Sequence, residues 1–326
     1  MLRFIFRRLI QAAGVLLTIT LVSFLVQGQL GDPVQQMLGQ NVSLETRMQL
    51  KAELGLDQPL LVQYQHFLSR AIHGDLGTSY YYKEPTLNVI FSKLPATVEL
   101  SVCALILVAL VATPLGVIAA IRPRHFFART IMFFSTLGLS VPIFIFGILL
   151  VWLLSVELRW LPSFGRGDTV ELFGFWQSGM MTVDGLKHLI LPAVSIAFVL
   201  IPMFIRLICA EMTDVLHSDY IRFARSKGLS SVRIYFIHAL KNTMLPVITI
   251  GGIQVGTLVA YTIVTETIFQ WPSMGRLFME AITRVDTPLI AAYLIVVGCG
   301  FVLLNTLVDL IYGLVNPRVR IPGYGV

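Results

Sequence analysis

Six long apolar runs constrain what this chain can fold into more than any other feature of its sequence. A helix needs about 20 residues to cross the hydrocarbon core of a bilayer, and each run reaches that length. Charged residues make up only 13% of the 326 residues, too few to cover the surface of a soluble protein of this size. The sequence therefore predicts an all-α, polytopic membrane protein with six transmembrane helices. The six runs are Leu9–Leu30, Thr97–Ile121, Thr130–Val156, His188–Ile208, Leu245–Thr265 and Pro288–Tyr312.

The distribution of basic residues predicts the orientation of these helices. If the N-terminus is cytoplasmic, 14 of the 24 Lys and Arg fall on short inside segments, and the others are spread over three longer outside loops. Because Lys and Arg accumulate on the cytoplasmic side of membrane proteins, both termini are predicted to be cytoplasmic. The net charge of +6 follows from this bias, so no nucleic-acid partner is expected. The inside residues are Arg3, Arg7, Arg8, Arg122, Arg124, Arg129, Arg206, Arg222, Arg225, Lys227, Arg233, Lys241, Arg318 and Arg320.

The polar parts of the chain form three outside loops and one main inside loop. The first outside loop, residues 31–94, is the largest and contains helical periodicity over Leu44–Leu54 and turn signals at Gly74 and Gly77. The main inside loop covers residues 209–241. No small-residue cleavage site follows the first apolar run, so we interpret that run as a retained signal anchor. No low-complexity linker is visible, and a single membrane domain is predicted over residues 1–326.

Several function classes are disfavoured by what the sequence lacks. Proton- and sodium-coupled carriers hold ionisable residues in the middle of the membrane, whereas here such residues lie near helix ends, as Glu99 and Asp309 do. A secondary transporter is therefore the less favoured alternative. The sequence has no G-x-x-x-x-G-K-[ST] phosphate loop and no convincing nucleophile–base pair for an intramembrane hydrolase. Its three cysteines and six histidines have no ligand spacing, so no metal or other cofactor is expected.

The polar segment 219–240 lies between two apolar runs and has the pattern of two short helices. Gly228 fits the end of the first, where glycine adopts a left-handed conformation at little cost, and Ser230 or Ser231 can cap the second. Two interpretations remain open: the second helix inserts into a groove of another protein, or it lies at the lipid interface. Its apolar face is predicted to consist of Val232, Tyr235, Phe236, Ala239 and Leu240.

The segment Asp219–Leu229 resembles the cytoplasmic loop of ABC importer permeases, in the form found in the dipeptide/oligopeptide/nickel subfamily. Arg222 and Phe223 replace the Glu and first Ala of the general importer pattern, while Ala224 and Gly228 match it. Ser273 stands where the subfamily usually has glycine, which could stiffen the third outside loop. The resemblance extends over nearly the whole chain, through Gly31–Pro33, Leu54–Pro59, Gly74–Ser79, Leu94–Leu100, Ser140–Phe144, Leu191–Ala193, His238–Asn242, Leu245–Pro246, Glu266–Phe269, Trp271–Pro272, Asp309–Gly313 and Asn316–Arg318.

This resemblance implies a type I ABC importer permease, the first of two permease subunits, in a bacterial cytoplasmic (inner) membrane. The implied partners, besides membrane lipid, are a second homologous permease, two ATP-binding subunits and a periplasmic or lipid-anchored substrate-binding protein. ATP would be hydrolysed on the partner subunits, and this chain is not expected to be an enzyme. The coupling helix would be Leu229–Leu240 or its N-terminal part. Peptides are the commonest cargo of the subfamily, and nickel, glutathione, sugars or opine-like conjugates stay open.

Three sets of candidate residues follow. Ala112, Gly116 and Ala120 are assigned to ordinary helix packing. For the candidate path residues around Gly252 and Gly256, helix packing and lining of a path are equally open. The residues of the coupling loop are Asp219, Tyr220, Arg222, Ala224, Arg225, Lys227, Gly228, Val232, Tyr235 and Phe236, of which Asp219 either caps a helix or contacts the ATPase. The candidate path residues are Gly252, Gln254, Gly256 and Thr257. The candidate docking residues for a binding protein are Asp75, Trp271 and Pro272.

Overall fold

The chain is almost entirely helical. The computed structural model describes residues 2–29, 44–53, 57–172, 174 and 176–315. The helices are α1 Leu2–Gln29, α2 Leu44–Glu53, α3 Leu60–Ile72, α4 Thr86–Ile121, α5 Phe126–Ser140, α6 Ile143–Leu150 with a π-helical extension Val151–Glu157, α7 Val183–His217, α8 Asp219–Ser226, α9 Ser231–Arg233 with a π-helical extension Ile234–Ala239, α10 Leu240–Ile268, α11 Met274–Thr283 and α12 Thr287–Val315. A small antiparallel hairpin pairs Val170–Leu172 with Trp176–Ser178 and is the one addition to the predicted all-α fold among the described residues.

Each of the six predicted apolar runs overlaps at least one helix among the described residues. By length and hydropathy, four described helical stretches are able to cross a membrane, and the bent pair α5–α6 makes a fifth if it is one span. The polytopic all-α membrane fold is thereby confirmed. The remaining run lies in α10, which is not among these candidates, so the count of six spans stays a prediction. The four stretches are Ile10–Gly28, Thr86–Ile121, Val183–His217 and Thr287–Val308.

The third apolar run is not one continuous helix as predicted. Its two helices, α5 and α6, meet at an angle of 102°. Pro142 has no N–H to donate and disfavours a helical conformation at the preceding residue. Val141 is accordingly extended, with φ −91° and ψ 119°. The prediction of a single helix over Thr130–Val156 was wrong because it gave the apolar composition more weight than the proline.

The chain divides into two compact units, and the single membrane domain stays a prediction. Unit 1 comprises Met1–Pro95 with Ser273–Leu303, and unit 2 comprises Ala96–Pro272 with Leu304–Val326. In unit 1, α1 packs on α3 through the rings of Phe24 and Phe67, whose centroids are 5.8 Å apart. The core of unit 1 consists of Val89, Ile90, Met274, Leu277, Ala281, Leu289, Ile290, Ala292 and Tyr293.

The first predicted outside loop, residues 31–94, contains helices α2 and α3 and the start of α4. The predicted periodicity is confirmed over Leu44–Glu53 by α2, whereas Leu54 lies outside the described residues, and α4 begins at Thr86, inside the predicted loop. The turn signals at Gly74 and Gly77 are confirmed by φ values of +81° and +88°. This left-handed region is reached cheaply only by glycine.

Unit 2 is built around α7, which packs against α4, α5, α6 and α10. Gly116 of α4 lies directly on Ile208, and Gly138 of α5 lies directly on Pro202, so a methyl group at either glycine would overlap its neighbour. Ala112 and Ala120 are buried on either side of Gly116, which confirms the packing role predicted for this stripe. Gly116 and Ile208 both lie near the C-terminal ends of their helices. Because they are in contact, the ends of α4 and α7 lie on the same side of the unit.

Candidate functional site

Helix α8 ends in a C-terminal cap built around Gly228. Gly228 has φ +77°, its N–H donates to the carbonyl of Arg225 (2.9 Å), and the N–H of Leu229 donates to the carbonyl of Ala224 (3.3 Å). These two bonds are the pair that a Schellman motif makes, and they satisfy carbonyls that the helix end would otherwise leave unpaired. The predicted helix end at Gly228 is confirmed. Ser218, not Asp219, occupies the N-cap position of α8.

Helix α8 has one face fixed to the protein and one face exposed. Ile221 and Ala224 are buried in the core of unit 2, and the Tyr220 hydroxyl accepts a hydrogen bond from Asn242 Nδ2 at 2.7 Å. Phe223, which is 60% exposed, projects from the other side with Lys227 Nζ 4.5 Å from its ring centroid. The small buried Ala224 lets the helix lie close to the core. The exposed residues of α8 and of its C-cap are Asp219, Tyr220, Arg222, Phe223, Arg225, Ser226 and Lys227.

The segment after Gly228 differs from the predicted amphipathic helix. Ser230 stands at the N-cap position of α9, but its side chain makes no capping hydrogen bond. A π-helical segment then runs from Ile234 to Ala239, and a π-helix brings residues five apart onto one side. Ile234 and Ala239 are buried for this reason, while Val232 and Phe236 of the predicted apolar face are exposed. Tyr235 is half-buried against the core.

A cavity of about 280 Å³ lies between α7 and α10 and contains polar side chains. Gln254, one of the predicted path residues, lines it together with Tyr261 and Arg206. Arg206 follows seventeen successive residues of α7, 189–205, that carry no charge, and no described carboxylate lies within ion-pair distance of it. In the sequence Arg206 counts only toward the orientation of the helices, although an arginine at the end of an apolar run is uncommon and could have marked it as a candidate site residue. The lining is Leu139, Val199, Leu200, Met203, Arg206, Gln254 and Tyr261.

The other predicted path residues are placed differently. Gly252 is buried against Val308, and a methyl group added there would overlap the valine side chain. This close contact assigns Gly252 to helix packing. Gly256 is half-buried in α10, and the side chain of Thr257 lies outside the described residues.

A buried ion pair ties α4 to the hairpin of unit 2. Arg166 Nη2 lies 2.8 Å from Glu99 Oε2, and the two side chains are 8% and 5% exposed. Glu99 also accepts hydrogen bonds from Trp176 Nε1 and from the N–H of Gly179, both at 3.2 Å. Arg166 donates in addition to the carbonyl of Gln177 at 2.5 Å. A charge of each sign is thus removed from water and held by several partners at once.

The predicted docking residue Trp271 is buried, with 1% of its surface exposed. Its indole Nε1 donates to the carbonyl of Ala96 at 3.0 Å. Trp271 therefore anchors its loop from within and is unavailable as a docking surface, so that part of the prediction is corrected. Pro272 is half-buried, and Asp75 is exposed, with Oδ1 accepting from the N–H of Gly77 at 2.9 Å.

In unit 1, Asp286 fixes the loop that precedes α4. The carboxylate is buried and accepts hydrogen bonds from Ser79 Oγ (2.5 Å) and from the N–H groups of Tyr80 and Tyr81 (both 3.2 Å). Tyr82 donates to Glu280 at 3.3 Å, and burial together with the Glu280 charge raises the pKa of Tyr82. Nothing in the sequence pattern points to these contacts, because they join residues about 200 positions apart.

Residues 112–321 match the sequence profile described as the inner membrane component of binding-protein-dependent transport systems. The chain belongs to this family. Residues 1–101 match the profile of the N-terminal region of the same membrane components, so the two matches cover most of the permease.

Individual relatives match along the entire permease. The dipeptide transport system permease protein DppB of Escherichia coli K12 is 40% identical, over 98% of this chain and 99% of that protein. The di/tripeptide transport system permease protein DppB of Pseudomonas aeruginosa is 38% identical over 98% and 99%. The glutathione transport system permease protein GsiC of E. coli O6:H1 is 33% identical over 98% and 99%.

A solved structure supports the same fold. A chain of the MetNI methionine ABC transporter, determined in inward-facing conformations, superposes with a TM-score of 0.51 at 16% identity, over 68% of this chain and 93% of that chain. At this identity the likeness concerns the fold alone. The family match and the relatives identify the chain as the membrane-spanning permease of an ABC importer, a subunit distinct from the one that hydrolyses ATP. A permease of this kind works with ATPase and substrate-binding partners.

Proposed function

We propose that this permease imports di- or oligopeptides as the first of two homologous permease subunits, above two ATP-binding subunits. A periplasmic or lipid-anchored binding protein delivers the cargo. The observation that carries the proposal is the naming of the relatives at 40% and 38% identity, which are dipeptide and di/tripeptide permeases matched over 98% of the chain. The glutathione relative at 33% identity makes glutathione the main alternative, with nickel and opine-like conjugates behind it.

Helix α8 is our candidate for the contact with the ATPase. Its exposed face combines the aromatic ring of Phe223 with the charged side chains of Asp219, Arg222, Arg225 and Lys227, a composition suited to an interface core with a charged rim. Its other face is fixed by Ile221, Ala224 and the Tyr220–Asn242 hydrogen bond. A movement of α8 caused by the ATPase would therefore be transmitted to α7 and α10. The polar cavity lies between these two helices.

The segment Leu229–Leu240 is the weaker candidate for inserting as a separate helix. Its helical part, from Ser231 onward, continues without a break through the π-turn into α10. Ile234 and Ala239 hold it against the core. We propose that Val232 and Phe236, which are exposed, border the α8 contact.

We propose that the cavity lined by Arg206, Gln254 and Tyr261 is part of the translocation path. A free peptide carries a terminal carboxylate, and a guanidinium pairs with a carboxylate through two parallel hydrogen bonds. Arg206 therefore offers the carboxylate a transient partner at the end of the apolar run. The positive-inside bias supports cytoplasmic termini and, with them, a position of Arg206 toward the cytoplasmic end of the proposed path.

Replacing Arg206 with glutamine should lower uptake of a free dipeptide by about ten-fold, because a hydrogen bond between charged groups contributes about 1.5–3 kcal/mol. Uptake of the same dipeptide as its C-terminal amide, which has no carboxylate, should change much less. Lys241→Gln is the matched control, since Lys241 is an exposed basic residue that does not line the cavity. Equal losses for the free peptide and the amide would contradict the role of Arg206.

The cargo is tested by uptake in cells with and without this gene. Labelled di- and tripeptides, glutathione and nickel are each offered, and the gene is returned on a plasmid. We expect peptide uptake to be lost on deletion and restored by the gene. Unchanged peptide uptake with loss of glutathione or nickel uptake would overturn the peptide assignment while keeping the permease architecture.

A further inference from the structure

A second cavity of unit 2 lies on the surface of α4 and α5, away from the polar cavity. Its volume is about 620 Å³, within the range of about 300–1,000 Å³ that ligand clefts occupy. It shares Leu115 and Ile131 with an apolar cavity of about 300 Å³ further along the same two helices. Together they form an elongated apolar groove. The larger cavity is lined by Leu115, Ile118, Ile121, Arg122, His125, Phe127, Ala128 and Ile131.

One end of this groove is basic. Arg122 lines it, and Arg124 and Arg129 are exposed in the same turn and in the first turn of α5. No acidic residue occurs in the sequence between Glu99 and Glu157, so nothing in this stretch neutralises the three arginines. A groove with apolar walls and one basic end is complementary to a molecule that has a long apolar part and a negative head.

We propose that this groove binds one anionic phospholipid of the surrounding bilayer. The phosphate pairs with Arg122, and an acyl chain lies along Leu115, Ile118 and Ile131. Basic pockets between transmembrane helices bind anionic head groups in this way, because the phosphate gains a fixed cation while its chains stay in an apolar setting. The site is separate from α8 and from the polar cavity, so it stands or falls independently of the proposed transport function.

The proposal is tested by native mass spectrometry of the purified, full-length permease with its partner subunits, titrated with phosphatidylglycerol or phosphatidylcholine. The wild type should bind its first phosphatidylglycerol at least about ten-fold more tightly than phosphatidylcholine. Arg122→Ala should remove most of this preference. Arg124→Ala removes the same charge from the same turn without touching the groove, so it should keep the preference.

A second pair of variants tests the apolar part of the groove. Ile118 and Ile106 lie on the same helix and are both 48% exposed, but only Ile118 lines the groove. Ile118→Trp should fill it and weaken phosphatidylglycerol binding, whereas Ile106→Trp should leave binding unchanged. Equal effects of Arg122→Ala and Arg124→Ala, or binding of both lipids with one affinity, would overturn the proposal. In a separate labelling experiment, Ile118 is replaced by cysteine and its reaction with a thiol reagent is measured. Protection of this cysteine by a partner subunit instead of by lipid would overturn the proposal as well.

Discussion

Replacing Gly228 with aspartate should reduce ATP-driven uptake by roughly ten-fold or more, while the permease still inserts into the membrane. A ten-fold loss corresponds to about 1.4 kcal/mol of lost interaction. Gly228 has φ +77°, and apart from its chain neighbours no described residue lies within 4 Å of the position a Cβ would take. A side chain there therefore projects outward, toward the proposed ATPase contact. Its negative charge also stands at the C-terminal end of α8, where the helix dipole is already negative.

The matched control for this variant is Gly174→Asp. Gly174 lies between the two strands of the hairpin, has φ +76° and is equally open around its Cβ position. The backbone strain and the added charge are therefore alike, but the residue lies outside α8. In proteoliposomes containing all subunits, Gly228→Asp should lose uptake and Gly174→Asp should keep it. Normal uptake by Gly228→Asp would refute the coupling assignment of α8.

Removing Arg166 should destabilise the permease by about 3–5 kcal/mol, because Glu99 would remain buried without its cation. The two hydrogen bonds that Trp176 and Gly179 still donate to Glu99 favour the lower part of this range. Replacing both charges with neutral groups of similar volume, as Arg166→Met with Glu99→Gln, should recover much of the loss, since no buried charge is left. The measurement is the thermal or denaturant unfolding of the purified protein in detergent.

Arg222→Ala provides the comparison for this loss of stability. Arg222 pairs with Asp219 at 3.4 Å, but both side chains are largely exposed to solvent. An exposed ion pair contributes at most about 1 kcal/mol, so the stability of this variant should stay close to that of the wild type. If Arg166→Ala unfolds no more readily than Arg222→Ala, the Glu99–Arg166 pair does not hold the hairpin to α4.

Local sequence patterns predicted what local physics determines. Composition and run length gave the membrane class, and the resemblance together with glycine chemistry gave the helix end at Gly228. Pro142 indicates the bend between α5 and α6. It lies in a run whose apolar composition suggested one continuous helix, and that composition was given more weight. The π-turn at Ile234–Ala239 could not be read from the sequence, because none of its residues is typical of a π-helix. The turn nevertheless changes which side chains are buried, so that Val232 and Phe236 are exposed.

Contacts between distant parts of the chain were beyond these patterns. Glu99 and Arg166 are 67 residues apart, and no periodicity relates them. Trp271 was a candidate docking residue because it lies in a predicted outside loop, whereas its indole is buried and bonded to Ala96. Gly252 resembled a path residue for its small size, yet the space above it is filled by Val308. In each case the decisive partner lies on another element.

The contact between α8 and the ATPase is tested most directly by disulfide cross-linking in membranes that contain the complete transporter. The native cysteines Cys103, Cys209 and Cys299 are first replaced by alanine. A cysteine is then placed at Phe223 or, as a control, at Phe126, an exposed aromatic residue that begins α5 on the same side of unit 2. Single cysteines in the ATPase surface complete the pairs. We predict cross-links from position 223 that change with ATP, and none from position 126. Cross-linking from position 126 alone would contradict the proposed coupling through α8.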